Sequence, residues 1–194
     1  MKTTFILHGG ETKIKNENNR EFYKSWTSNF DEDRVPKILL NYFAGELKDE
    51  ERKFGEDVRN FEKYNGRKAD FEIADRNIER FREQIKKADV IYVRGGSSNS
   101  LINLFNDIKE DFKELIKGKI YVGSSAGTVI SEFYRSHTTG YWKKGLGILP
   151  VVSFVHWREE FEGDLEKFKK EKAKKDFEYV LLPETEFIVK EVDL

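Results

Sequence analysis

Val90-Ile91-Tyr92-Val93 runs straight into Arg94-Gly95-Gly96-Ser97-Ser98-Asn99-Ser100. A charged stretch from Leu101 to Lys117 follows, and Ile120-Tyr121-Val122 then enters Gly123-Ser124-Ser125-Ala126-Gly127. This segment decides the fold class. A short apolar run stopped by a glycine turn reads as a strand buried on both faces. Leu101–Lys117 reads as helix in two pieces, and helix between two such strands is the crossover of a parallel pair. Outward from here the alternation recurs. Phe5 to Leu7 ends in Gly9-Gly10, and Lys37 to Phe43 follows Pro36. Lys48 to Tyr64 places Phe54, Val58 and Phe61 at helical spacing and stops at Asn65-Gly66. Phe71 to Ala74 reads as strand and Asn77 to Lys87 as helix, with Ile78, Phe81 and Ile85 on one face. Thr128 to Tyr134 reads as a helix continuing from the glycine turn, and Ser136 to Gly147 as a loop. Ile148 to Val155 reads as strand, Arg158 to Lys175 as a charged helix, and Tyr179–Leu182 and Phe187–Val189 as two closing strands. The lysines from Lys167 to Lys175 read as a solvated helix face. The expected architecture is α/β: a mainly parallel sheet with helices on both faces, a three-layer sandwich, in one domain over 1–194. Ligands of such sheets sit at the carboxyl ends of the strands.

Composition removes several functions. Charged residues make up 37% of the 194, yet 36 Asp and Glu oppose 35 Lys and Arg. Without a basic excess, no nucleic-acid partner is expected. There is no cysteine, so disulfides, thiolate metal sites and a cysteine nucleophile are excluded. Apolar stretches such as Ile148–Val152 are too short to span a membrane, and the apolar part of Met1–His8 is too short for a secretory signal. A cytoplasmic protein without membrane partner, cofactor or metal is expected. Oligomeric state is left open between monomer and homodimer.

Gly123-Ser124-Ser125-Ala126-Gly127 carries the sharpest chemistry. A strand entering Gly-x-Ser-x-Gly before a helix is the pattern of a nucleophile elbow. Such a turn is tight and strained, so small residues must flank the serine, as Gly123, Ala126 and Gly127 do. The N-terminus of the following helix offers free N–H groups and a positive dipole end to a developing oxyanion, Ala126 first. The same pattern also occurs as mere packing or as a phosphate loop. A serine nucleophile needs a base, and the chain has three histidines: His8, His137 and His156. His156 closes an apolar run at a strand's carboxyl end, the same edge as the elbow, and is the best-placed base. Its orienting carboxylate is not fixed by composition. Glu184 follows a strand and Pro183, and Glu186 lies two residues on. The turn at Gly95-Gly96 can aim amides at an oxyanion, but it lacks the lysine of a P-loop and the spacing of a dinucleotide site.

Four segments in order resemble the aspartyl dipeptidase and cyanophycinase family of serine peptidases, whose sheet is similar to that of class I glutamine amidotransferases. They are Gly95-Gly96 with Asn99-Ser100, Gly123–Gly127, Gly145-Leu146-Gly147-Ile148-Leu149-Pro150 with Val155-His156-Trp157, and Leu182-Pro183-Glu184. The resemblance implies a Ser125, His156, Glu184 triad, an acyl-enzyme, and an oxyanion hole from the amides of Gly96 and Ala126. It selects Glu184 over Glu186. It also implies short peptide substrates, with N-terminal aspartate held by an arginine. That arginine's position falls near Gly163, and the nearest bases are Arg158 and Lys167. The turn Gly95–Ser100 is one residue longer than the family's, and Val155 stands where a proline is common. Two alternatives share parts of the pattern: another serine hydrolase (esterase or amidase), and a non-catalytic flavodoxin-like binding domain using the two glycine turns for phosphate.

Overall fold

A computed structural model describes residues 2–172 and 177–194 of the chain. Five parallel strands form most of a six-stranded sheet: β1 (Lys2–His8), β2 (Lys37–Asn41), β3 (Asp70–Ile73), β4 (Val90–Val93) and β5 (Ile120–Ser124). With β10 (Phe187–Asp193) the order is β10-β1-β5-β4-β2-β3, and β10 runs antiparallel to β1. A second sheet has the order β7-β6-β8-β9. In it β6 (Ser131–Arg135), β8 (Leu149–Val155) and β9 (Glu178–Leu182) are parallel, and β7 (Trp142–Lys144) is antiparallel to β6. The parallel strands expected in one sheet are thus shared between two.

Side-chain alternation builds the layers. Ile6, Ile38, Leu40, Tyr92 and Val122 face α1 (Glu17–Ser25) and α2 (Glu50–Asn65), which supply Phe22, Tyr23 and Phe61. Phe5, Leu7, Leu39, Ile91 and Tyr121 face the opposite way. There they meet Phe81 of α3 (Ile78–Lys87), Phe105 of α4 (Ser98–Asn106) and Phe112 of α5 (Lys109–Leu115). This second cluster is continuous with Leu149, Val155 and Val180 of the smaller sheet, so the two sheets share one apolar mass. Burying each such side chain contributes about 1.5–3 kcal/mol.

Helix ends follow local chemistry. Asn16, Asn77 and Ser97 are N-caps whose side chains accept from Asn19 N, from Glu79 N and Arg80 N, and from Ser100 N. Gly66, at φ +76°, ends α2 in the left-handed conformation a helix C-terminus favours.

The break of Leu101–Lys117 into α4 and α5 is as expected. Four features differ from the sequence reading. Thr128–Tyr134 is not helix: a 3-10 turn, Ser125–Ile130, passes directly into strand β6. The expected loop Ser136–Gly147 contains β7, and α1 was not anticipated. The charged stretch from Arg158 forms a short 3-10 turn, Glu159–Phe161, and α6 (Glu162–Glu171). The end of that expected helix, 173–175, lies outside the described residues. Among those described, no helix is long and apolar enough to cross a membrane.

Candidate active site

Ser125 occupies the turn between β5 and the 3-10 segment at φ +49°, a left-handed conformation that costs an ordinary residue about 1–2 kcal/mol. Close approach of neighbouring backbone enforces the turn. A Cβ at Gly123 would lie 2.5 Å from Gly127 O, and one at Gly127 would lie 2.3 Å from Val93 O. Tyr121 donates its hydroxyl hydrogen to Gly127 O at 2.7 Å, and Thr128 donates to Ser125 O at 2.8 Å, so the elbow is tied at both ends.

His156 directly follows β8 and is also left-handed, at φ +54°. Its Nε2 lies 2.9 Å from Ser125 Oγ, a full hydrogen bond. Its Nδ1 lies 3.5 Å from Glu184 Oε1, the outer limit of hydrogen bonding, and finds no closer partner among the described residues. Glu184 raises the ring's pKa through this long hydrogen bond and then through its charge. Arg158 Nη2, 3.7 Å from the same oxygen, shares that carboxylate. The carboxylate sits in the turn after β9, where Glu186 N donates to Pro183 O at 3.2 Å. Glu186 itself is exposed.

A glycine pair at the end of β1 joins these pieces. His156 N donates to Gly9 O at 3.2 Å, and Thr185 N donates to Gly10 O at 3.0 Å. A Cβ at Gly10 would lie 2.3 Å from His156 Cε1. From the other side the ring of His137, on the β6–β7 connection, lies 4.4 Å from the ring of His156, centroid to centroid. Burial and then the His137 charge push the His156 pKa below its usual value, while Glu184 and Glu11 pull it upward. The net lowering favours the neutral ring, the form in which an imidazole can accept a proton.

The turn after β4 brings Gly95 and Gly96 against the serine. A Cβ at Gly95 would lie 2.9 Å from Ser125 Cβ. Gly96, at φ +150°, leaves no room for a side chain: its Cβ would lie 2.4 Å from Ala44 O. Ser97 N is spent on Ala44 O at 2.8 Å, whereas the Gly96 amide has no main-chain acceptor among the described residues. Ala126 stands second in its 3-10 turn, where amides have no partner within the turn. Gly96, Ser125 and Ala126 line one small pocket with Arg135 and His137.

Arg94 anchors that turn to α2. It donates to Asp57 Oδ2 at 3.0 Å and Glu56 Oε2 at 2.8 Å, and Tyr42 donates to Asp57 at 3.1 Å. Burial pushes the Asp57 carboxyl up to about 6 against the pull of Arg94. A cleft of about 430 Å³ opens between this anchor and the histidine, lined by Gly10, Glu11, Lys13 and Arg94 as well as Ser125 and His156.

The structure thus brings Ser125, His156 and Glu184 to one place, with Gly96 and Ala126 beside the serine. His8 is elsewhere: it is buried, and its Nδ1 lies 3.4 Å from the hydroxyl of Ser124, not Ser125. The sequence reading missed the contact of the His137 ring with His156, the role of Gly9-Gly10 as a joint, and Arg94. The glycine pair at a strand end was the one signal available for the second of these.

Comparisons with known proteins bear on the fold and the family. No curated protein matches the chain. Among solved structures, a candidate peptidase E protein from Listeria monocytogenes EGD-e is similar in fold, with TM-score 0.63, 16% identity, and full coverage of both chains. A peptidase from an acI-B1 actinobacterium matches at TM-score 0.63 and 21% identity, over 97% of this chain and 83% of its own. The family model "Peptidase family S51" matches residues 5–191, so nearly the whole described chain is accounted for. The chain belongs to peptidase family S51, a family of serine-type peptidases.

Proposed function

We propose that the protein is a peptidase of the peptidase E kind that cleaves short peptides through a Ser125, His156, Glu184 triad and an acyl-enzyme. The observation that carries this is the 2.9 Å contact between Ser125 Oγ and His156 Nε2, made where the elbow and the end of β8 meet. His156 takes the hydroxyl proton as Ser125 Oγ attacks the peptide carbonyl. The amides of Gly96 and Ala126 receive the oxyanion. Removing one such donor typically costs about 10²–10³-fold in kcat. His156 then gives its proton to the leaving amine. A water, deprotonated by the same ring, releases the acid. Glu184 favours the cationic ring that both steps create.

The experiment is a scan of the first residue in short peptides, with Ser125→Ala alongside and a fluorophosphonate to label the serine. Turnover in the wild type, with labelling lost in Ser125→Ala, supports the reading. Hydrolysis undiminished in Ser125→Ala removes it.

His137 gives the mechanism a signature in pH. Activity should fall as pH drops through the His156 pKa, because the base becomes protonated. A cationic His137 lowers that pKa. His137→Ala should therefore move the acidic limb of kcat/KM to higher pH. An unmoved limb would mean that the ring contact has no electrostatic part.

Arg135 is the cation of the small pocket beside Ser125. Its Nε donates to Asp164 Oδ2 at 2.5 Å, and its guanidinium lies over the rings of Phe154 and Phe161 at 4.8 and 4.6 Å. Asp164 adjoins Gly163, the position where the resemblance called for an arginine. We infer that Arg135 reaches that region from β6 and favours an acidic first residue. Arg135→Met should lower kcat/KM for aspartyl peptides about tenfold relative to alanyl ones, the size of one charge-assisted contact. An equal loss on both substrates would reject this.

A further inference from the structure

His8 takes no part in the chemistry above, yet it is fully buried, its ring 4.2 Å from that of Phe22. Its neighbours fix where its proton lies. Asn19 Nδ2 donates to Glu11 O at 2.9 Å and to Ile14 O at 2.7 Å, which uses both amide hydrogens. Asn19 Oδ1 must therefore accept. It lies 2.8 Å from His8 Nε2, so that nitrogen carries the hydrogen. Burial, opposed by the hydrogen bond to Asn19 and by a backbone interaction with Thr185, holds the ring's pKa down to about 4, and the imidazole is neutral. Nδ1 is then a bare acceptor. It faces two donors: Gly10 N–H at 3.1 Å and the Ser124 hydroxyl at 3.4 Å.

What Nδ1 holds is the joint of the site. The glycine pair accepts from His156 N and Thr185 N, and Gly9 N donates to Glu186 O at 2.8 Å. The second donor, Ser124, is the residue before the nucleophile. Gly10 sits at φ +123°, and glycine offers little resistance to leaving such a conformation. We propose that His8 is a positioning residue: through its Nδ1 acceptor it clamps the Gly9-Gly10 turn and Ser124, and so sets His156 and the Glu184 turn in register with Ser125. The proposal rests on the reading of those three residues as the catalytic groups.

An Asn and Gln pair tests it. In His8→Asn an amide oxygen replaces Nδ1 and keeps an acceptor for Gly10. In His8→Gln the amide falls at Nε2 and keeps only the Asn19 contact. The clamp requires His8→Gln to lose roughly 10²-fold in kcat with KM little changed, the cost of a displacement on the order of 1 Å, and His8→Asn to retain most of its activity. Labelling of Ser125 by a fluorophosphonate should follow the same order. Wild-type kcat and labelling in His8→Gln would overturn the proposal. So would equal losses in both variants that track a fall in Tm, since those report packing alone. Nitrogen-resolved NMR of the wild type at pH 7 decides the tautomer even if neither variant folds: a proton on Nδ1 overturns the clamp, and a proton on Nε2 supports it. If the wild type neither cleaves peptides nor labels at Ser125, the catalytic reading fails separately. The exchange of the Gly10 and Thr185 amides, faster in His8→Gln than in wild type, then still tests the clamp, and unchanged exchange rejects it.

Discussion

Ser125→Ala is expected to leave a folded protein whose peptide hydrolysis is about 10⁵–10⁶-fold slower, the scale set by removing the serine of comparable triads. The residual rate would come from the oxyanion amides and from binding. Stability should change little, because the Ser125 hydroxyl makes one hydrogen bond, to His156, and that partner stays near enough to solvent to be satisfied by water. Ser125→Gly makes the same point with opposite thermodynamics. It is equally inactive, but it releases the left-handed cost at φ +49° and should raise stability by about 1 kcal/mol. Measuring kcat and urea unfolding on both variants checks the pair. Activity within tenfold of wild type in either would end the case for Ser125.

Gly10→Ala should be the most damaging change at a residue with no chemistry of its own. Its Cβ would lie 2.3, 2.9 and 3.0 Å from Cε1, Nε2 and Nδ1 of His156, and φ +123° suits no L side chain. Either the ring or the turn must move, and both carry the base. A displacement of 1 Å costs about 10²-fold, and loss of the hydrogen bond to Ser125 costs more. We expect kcat to fall by about 10²–10³-fold on that ground, with stability lowered by about 1–3 kcal/mol from backbone strain. Gly163→Ala is the control. Nothing lies within 4 Å of its Cβ, it is helical, and alanine there should raise stability by up to about 1 kcal/mol with kcat unchanged. Equal kcat in Gly10→Ala and wild type would show that the turn does not set the imidazole.

The parallel-sheet fold could be read from strands that end in glycine. Val90–Val93 and Ile120–Val122 have no polar face, because both of their faces are covered. Ser125 was legible from Gly-x-Ser-x-Gly and His156 from its place at a strand's carboxyl end, although the shared edge expected for them is split: β5 and β8 lie in different sheets whose ends meet. Glu184 was not legible: only the resemblance separated it from Glu186, since a turn's direction depends on long-range contacts such as Thr185 N to Gly10 O. Strand β6 was misread for a definite reason. Val129, Ile130, Phe133 and Tyr134 are spaced as on a helix face, but the register of β6 against β8 shifts between Ser131 and Phe133, and a bulge spoils the two-residue alternation. β7 is three residues long and exists by pairing with β6. The same hairpin carries His137 to His156, a meeting no local pattern encodes.

Among the described residues, the non-glycine positions with left-handed backbone are Glu11, Ser125, His156 and Thr185, and they surround the cleft or the Glu184 turn. Each forgoes stability that glycine or asparagine would recover. A descendant released from selection for turnover would therefore drift at these four sites first, toward residues content with positive φ. Their identities across related chains would then serve as a record of which lineages still work as enzymes and which have lapsed.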